Sequence, residues 1–151
     1  MSPIVVSDVH RRVLDLAACR QQYMAAFGCA PFLSPTTGAL TLMSDQYAAV
    51  LTSNRRGEEI AKVLHPRTVP VVAARAVWMF ITARPLASDN VAAMIDTLYG
   101  HPGTLLLLPG DEIPLPTPGS DRHRWITTGD VPPFGDIVDA TVRVVSKETR
   151  R

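Results

Sequence analysis

The chain has 151 residues, of which 46% are apolar and 19% charged, a balance that fits one packed domain and excludes a disordered segment. A chain of this length buries about 68–70% of its unfolded surface. Fifteen basic and fourteen acidic residues leave a formal charge of +1, so the molecule as a whole offers no strong field for a polyanion.

No run approaches the length of a membrane-spanning segment, and no N-terminal stretch joins a basic start to a long apolar run and a small-residue cleavage site. The expected location is therefore cytoplasmic, without a membrane partner. On one helix Cys19 and Cys29 would lie roughly 13–15 Å apart. That exceeds the reach of a disulfide, about 7 Å between Cα atoms. Two free thiols and a reducing compartment are expected.

Ser7 is placed to cap a first helix, with Val9, Val13, Leu16, Met24 and Phe27 recurring at helical spacing and Gly28 at its end. Arg20 falls on that apolar stripe, where its charged head must find a partner or reach water. Two strand-like runs follow, Ala39 to Met43 and Tyr47 to Thr52, with Ser44 and Asp45 as a hairpin turn. A second helix is predicted from Asn54 through Ile60, Val63 and Leu64 until Pro66 stops it. The most basic segment lies here, with Arg55, Arg56, Lys62, Arg67 and Arg75 against Glu58 and Glu59; it reads as a solvated face.

Val69 to Ala73 and Ala76 to Thr82 read as strands, the second apolar on both faces and hence central. Ser88 or Asn90 caps a third helix with Val91, Met94, Ile95 and Leu98 inward, ending at Gly100. The leucine run at 105–108 is a second candidate for a central strand. After it, "PGDEIPLPTPGSDRHRW" (Pro109 to Trp125) reads as a stiff, solvent-facing connector into a strand from His123 to Thr127. Pro132 and Pro133 precede a last helix with Phe134, Ile137, Val138, Thr141, Val144 and Val145 inward, and Lys147 to Arg151 form a fraying tail. The order implies one α+β domain, 1–151. Its expected architecture is a sandwich of about four helices on one face of a mostly antiparallel sheet of about six strands.

Catalytic motifs are absent. His10, His65, His101 and His123 have no partner at zinc-ligand spacing, and neither a Walker loop, GxGxxG nor GxSxG occurs. No metal and no cofactor is expected. Asp111 and Glu112 are adjacent, so an extended backbone points them to opposite sides unless Gly110 bends it. Asp136 and Asp139 fit the start of a helix, where acids complement the dipole.

Arg122, His123, Arg124 and Trp125 make the best recognition cluster. In a strand the two arginines share one face, suited to phosphate or carboxylate, while His123 and Trp125 share the other. The bland alternative is an edge strand whose tryptophan packs inward and whose arginines pair with Asp111, Glu112 or Asp121.

"AVWMFIT", then "TLLLLPGDEIPLPTPGSDRHRWI", then "PPFGDIVDATVRVV" resembles the primase/polymerase-like N-terminal domains of short actinobacterial proteins. In these a strand leads to a proline-rich loop, an Arg-x-Trp strand and a closing helix. The catalytic version of that family carries an Asp-x-Asp pair for metal, and neither Asp-x-Asp nor Asp-x-Glu occurs here. The resemblance therefore implies a degenerate member without polymerase chemistry.

Three functions follow, in order. The first is a non-catalytic interaction or regulatory protein, binding a protein partner or a second copy of itself. The second is a nucleotide- or nucleic-acid-binding domain using Arg122, Arg124 and Trp125. The third is an enzyme using Asp111, Glu112 and His123 in a cleft.

Overall fold

The computed structural model describes residues 8–150, so the Ser7 cap and Arg151 lie outside the described residues. Four helices and eight strands are present there: α1 (Asp8–Phe27), β1 (Phe32–Leu33), β2 (Leu40–Leu42), β3 (Tyr47–Ser53), α2 (Asn54–Leu64), β4 (Val71–Ala74), β5 (Val77–Ala83), α3 (Val91–Tyr99), β6 (Leu105–Leu107), β7 (Ile113–Pro114), β8 (Arg124–Thr127) and α4 (Phe134–Thr149). The strands form two antiparallel sheets, ordered β6-β3-β5-β4-β8 and β1-β2-β7. The class is α+β, and neither sheet closes into a barrel.

β5 is central, as its apolar composition implied, and it carries apolar residues on both sides because the larger sheet is covered on both faces. Phe80 packs with Ala48, Val50, Ile60, Leu98, Phe134 and Ile137, so α2, α3 and α4 cover one face. Met79 and Ile81, pointing the other way, pack with Ala49, Leu40, Leu42, Ile113, Leu115, Tyr23 and Phe27. The second face thus belongs to α1 and the small sheet. The expected layout is corrected in two respects: α1 lies across the sheet from the other helices, and the strands number eight in two sheets.

The supposed hairpin of β2 and β3 is also two separate sheets. Ser44 turns the chain, its hydroxyl accepting from the Gln46 N–H at 3.0 Å, but β2 pairs with β7 rather than with β3. The leucine run forms an edge strand instead of a central one. β5 occupies one side of β3, leaving β6 the outer side, and Leu105 is 58% exposed.

The proline-rich stretch departs most from expectation. Ile113, Leu115 and Thr117 are buried, whereas Pro114, Pro116 and Pro118 are only partly so. This is a strand alternation in which prolines occupy the side that has no ladder bond to donate. The Leu115 N–H donates to the Leu40 carbonyl at 2.8 Å, and the Leu40 N–H donates to Thr117 Oγ1 at 2.8 Å. The segment is a wall of the second core, not a solvent-facing connector.

Helix ends follow local chemistry. Gly28 adopts φ 70° and donates to the Met24 carbonyl at 2.9 Å, closing α1 in the left-handed region. Ser53 caps α2 by accepting from the Arg56 N–H at 3.2 Å, and Asn90 caps α3 by accepting from the Ala93 N–H at 3.1 Å. All six residues assigned inward on α4 are buried. That helix runs through Lys147, Glu148 and Thr149, which the sequence assigned to a tail. α2 and α4 are antiparallel, with ion pairs at both ends: Arg56 to Glu148 at 2.8 Å and Arg67 to Asp136 at 2.8 Å.

Candidate functional site

β8, at one edge of the larger sheet, carries Arg124 and Trp125 of the segment singled out for recognition; Arg122 and His123 precede it, the strand starting one residue later than expected. Arg122 and Arg124 are exposed while His123 and Trp125 are half-buried, the alternation expected of a strand. A bulge lies beside them. Val71 pairs with Thr127 and Val72 with Trp125, leaving Ile126 as the extra residue. Ile126 packs toward the helices and Trp125 toward α1.

Trp125 is anchored in that second core. Its indole N–H donates to the Tyr23 hydroxyl at 3.3 Å, and the two rings meet edge to face at 6.0 Å. Tyr23 in turn donates to the Pro116 carbonyl, and Tyr47 donates to the Phe27 carbonyl. Burial pushes both phenols above their ordinary range. His123 is shifted the other way, burial and then the neighbouring Arg122 lowering its pKa.

The arginines do not pair with acids as the bland alternative supposed. Arg122 donates to the Thr37 carbonyl at 3.5 Å, and the described ion pairs include neither Arg122 nor Arg124. Because Trp125 faces the other side of the strand from Arg124, the three residues do not by themselves form a pincer for a stacked base.

Two of the four candidate acids, Asp111 and Asp136, are engaged in structure. Asp111 closes the turn after β6, its carboxylate accepting from the Leu108 N–H at 2.8 Å. Glu112 beside it is exposed. Asp136 sits in the first turn of α4 and pairs with Arg67; Asp139 is exposed. Among the described residues no group of three or more His, Cys, Asp or Glu converges as a metal site. Both cysteines are free thiols.

Beside Trp125 lies an apolar pocket of about 260 Å³, walled by Tyr23, Phe27, Pro70, Trp125 and Val131, with Gln22 and Thr128 at its polar edge. The sequence places Leu16 and Phe27 inward on α1 correctly but takes Met24 instead of Tyr23 for the buried position between them, and so misses this pocket. The buried or half-buried positions are Leu16, Cys19, Tyr23 and Phe27. Their spacing is as helical as the one chosen, and the aromatic Tyr23 was the signal.

The rest of α1 is turned to solvent. Val9 is 72% exposed, Leu14 63%, Val13 58% and Met24 42%, and Ala17, Ala18 and Ala25 are exposed with them. Arg20, whose burial was in question, is exposed and donates to the Pro31 carbonyl at 2.8 Å. Among the described residues no helix is long and apolar enough to cross a membrane. Compared with protein families, curated proteins and solved structures, the chain matches no family model, no curated relative and no known structure.

Proposed function

We propose that this chain is a non-catalytic interaction protein that acts by self-association through the outward side of α1. The observation that carries this reading is the exposure of Val9, Val13, Leu14 and Met24 on a helix that is buried at Tyr23 and Phe27 and half-buried at Leu16 and Cys19. Large apolar side chains exposed together on one helix mark an interaction site; here Arg20 and Gln21, also exposed, lie between Ala17 and Met24. Val13, Ala17 and Met24 follow one helical stripe, and Leu14, Ala18 and Ala25 follow the next. The seven-residue steps from Ala17 to Met24 and from Ala18 to Ala25 suit a helix as the partner.

A second copy fits because the pattern is self-complementary. Ala17 and Ala18 sit at the middle of Asp8–Phe27, where small side chains permit close approach. The larger Val13 and Leu14 lie toward one end, with Met24 toward the other. An antiparallel two-fold pairing sets Val13 of one copy against Met24 of the next, and such an isologous contact closes after two copies.

Sedimentation equilibrium tests the reading. Wild type is expected as a dimer and Val13→Glu as a monomer with an unchanged circular dichroism spectrum. A monomeric wild type at high micromolar concentration overturns self-association.

A second reading is a binding site for a nucleotide or single-stranded nucleic acid, in line with the primase/polymerase-like resemblance. One observation favours it: Arg12 lies against Gly119, at 3.4 Å from where a Cβ would stand, adding a third guanidinium near the segment that carries Arg122 and Arg124. Single-stranded DNA binding at low salt that Arg122→Ala and Arg124→Ala abolish would support it; no binding at low salt would remove it.

A further inference from the structure

Where α2 packs on α4 a groove of about 660 Å³ remains, within the range of about 300–1,000 Å³ that small-molecule sites occupy. Its apolar wall is Val63 and Val144. Both of its acids are engaged: Glu59 accepts from Lys62 at 3.0 Å, and Glu148 is held by Arg56 at 2.8 Å. Its other cations, Arg55 and Lys147, enter none of the described ion pairs.

The placement of Arg55 sharpens the imbalance. It stands in the first turn of α2 beside Arg56, and that turn contains no acid. Cations at a helix N-terminus oppose the dipole, which favours negative charge there. Glu148 answers Arg56 directly from across the helix pair and feels Arg55 only through its field; Arg55 itself enters none of the described ion pairs.

We infer that the α2–α4 groove is a binding site for a small amphipathic carboxylate, its head on Arg55 and Lys147 and its apolar body along Val63 and Val144. The site lies on the helix-covered face of the larger sheet, away from α1, so its success or failure is independent of self-association.

Titration with decanoate below its micelle concentration, followed by amide chemical shifts, tests the inference, with acetate supplying the head group alone. Saturable shifts confined to α2 and α4 are expected with decanoate and none with acetate. Arg55→Ala with Lys147→Ala should weaken decanoate at least tenfold, and Lys147→Glu alone should also weaken it. Circular dichroism should show both variants folded. The inference is overturned if decanoate gives no saturable shifts, if affinity survives both variants, or if the shifts fall instead on the pocket beside Trp125.

Discussion

Arg56 grips Glu148 with two bonds, Nε to Oε1 at 3.3 Å and Nη2 to Oε2 at 2.8 Å, tying the first turn of α2 to the last turn of α4. Its remaining nitrogen, Nη1, reaches the Thr104 hydroxyl at 2.8 Å and the Pro102 carbonyl at 3.2 Å. One guanidinium thus joins α2, α4 and the loop entering β6.

The carboxyl of Glu148 is held below its ordinary range, chiefly by hydrogen bonding to Arg56. A folded pKa below the unfolded one contributes stability above the ordinary carboxylate range, and that contribution disappears as pH falls through the lowered value. Glu148→Gln should therefore destabilise at pH 7, by less than about 1 kcal/mol because the glutamate is half-exposed. The difference from wild type should vanish under acid, which melting temperatures recorded from pH 7 downward will show. Arg56→Met also loses the Thr104 and Pro102 bonds and should cost about 1.5–3 kcal/mol.

Thr52 is 1% exposed and its hydroxyl has no hydrogen-bond partner among the described residues. A buried polar group left unsatisfied costs about 1–3 kcal/mol. Thr52→Val keeps the shape, removes that cost, and should raise the melting temperature by roughly 2–4 °C for each kcal/mol gained. An unchanged or lower value would mean that the hydroxyl is satisfied.

Gly57 on α2 lets the helix rest on Trp78: a Cβ there would stand 2.6 Å from Cε3 and 2.9 Å from Cδ2. Gly57→Ala should destabilise by about 1–3 kcal/mol through overpacking, although alanine is the better helix former. Chemical denaturation measures which effect wins.

Tyr23→Phe removes the bond to the Pro116 carbonyl and strands the Trp125 indole N–H, and should cost about 1–3 kcal/mol. There is an alkaline signature as well. Above about pH 10 an unfolded tyrosine ionises while buried Tyr23 keeps its proton, so wild-type stability falls as pH rises. In the phenylalanine variant that fall should be smaller, with Tyr47 supplying what remains, as unfolding curves between pH 8 and 11 will record.

Local rules read the helices well because their evidence is local. The inward residues of α4 repeat at three and four, and each is buried. On α1 the same rule identified apolar residues but not whether anything covers them, and Val9 and Val13 face water. Strand pairing was less legible because it depends on distant residues. Ser44 and Asp45 announce a reversal of the chain, yet the partner of β2 is β7, beyond the whole run of β3 to β6. The alternation Ile113, Leu115, Thr117 was visible in the sequence, but the prolines between them argued for exposure. Their lack of an N–H is compatible with an edge position in a small buried sheet. Of the candidate recognition residues, the alternation of Arg122 through Trp125 was legible; the pocket beside Trp125 was not, since α1 and Pro70 complete it from far along the chain.

The central claim, that α1 pairs with α1 of a second copy, is tested most directly by distances between spin labels. Labels would be placed at Ala18 in one sample and at Val9 in another, with Cys19 and Cys29 replaced by serine. Antiparallel helices packed about 8–10 Å apart bring the mid-helix labels close together. At 1.5 Å per residue, with Val13 set against Met24, they hold the Val9 labels roughly 30 Å apart. A short Ala18 distance with a long Val9 distance is the expected result. No dipolar coupling at either position, or equal distances at both, would contradict the account.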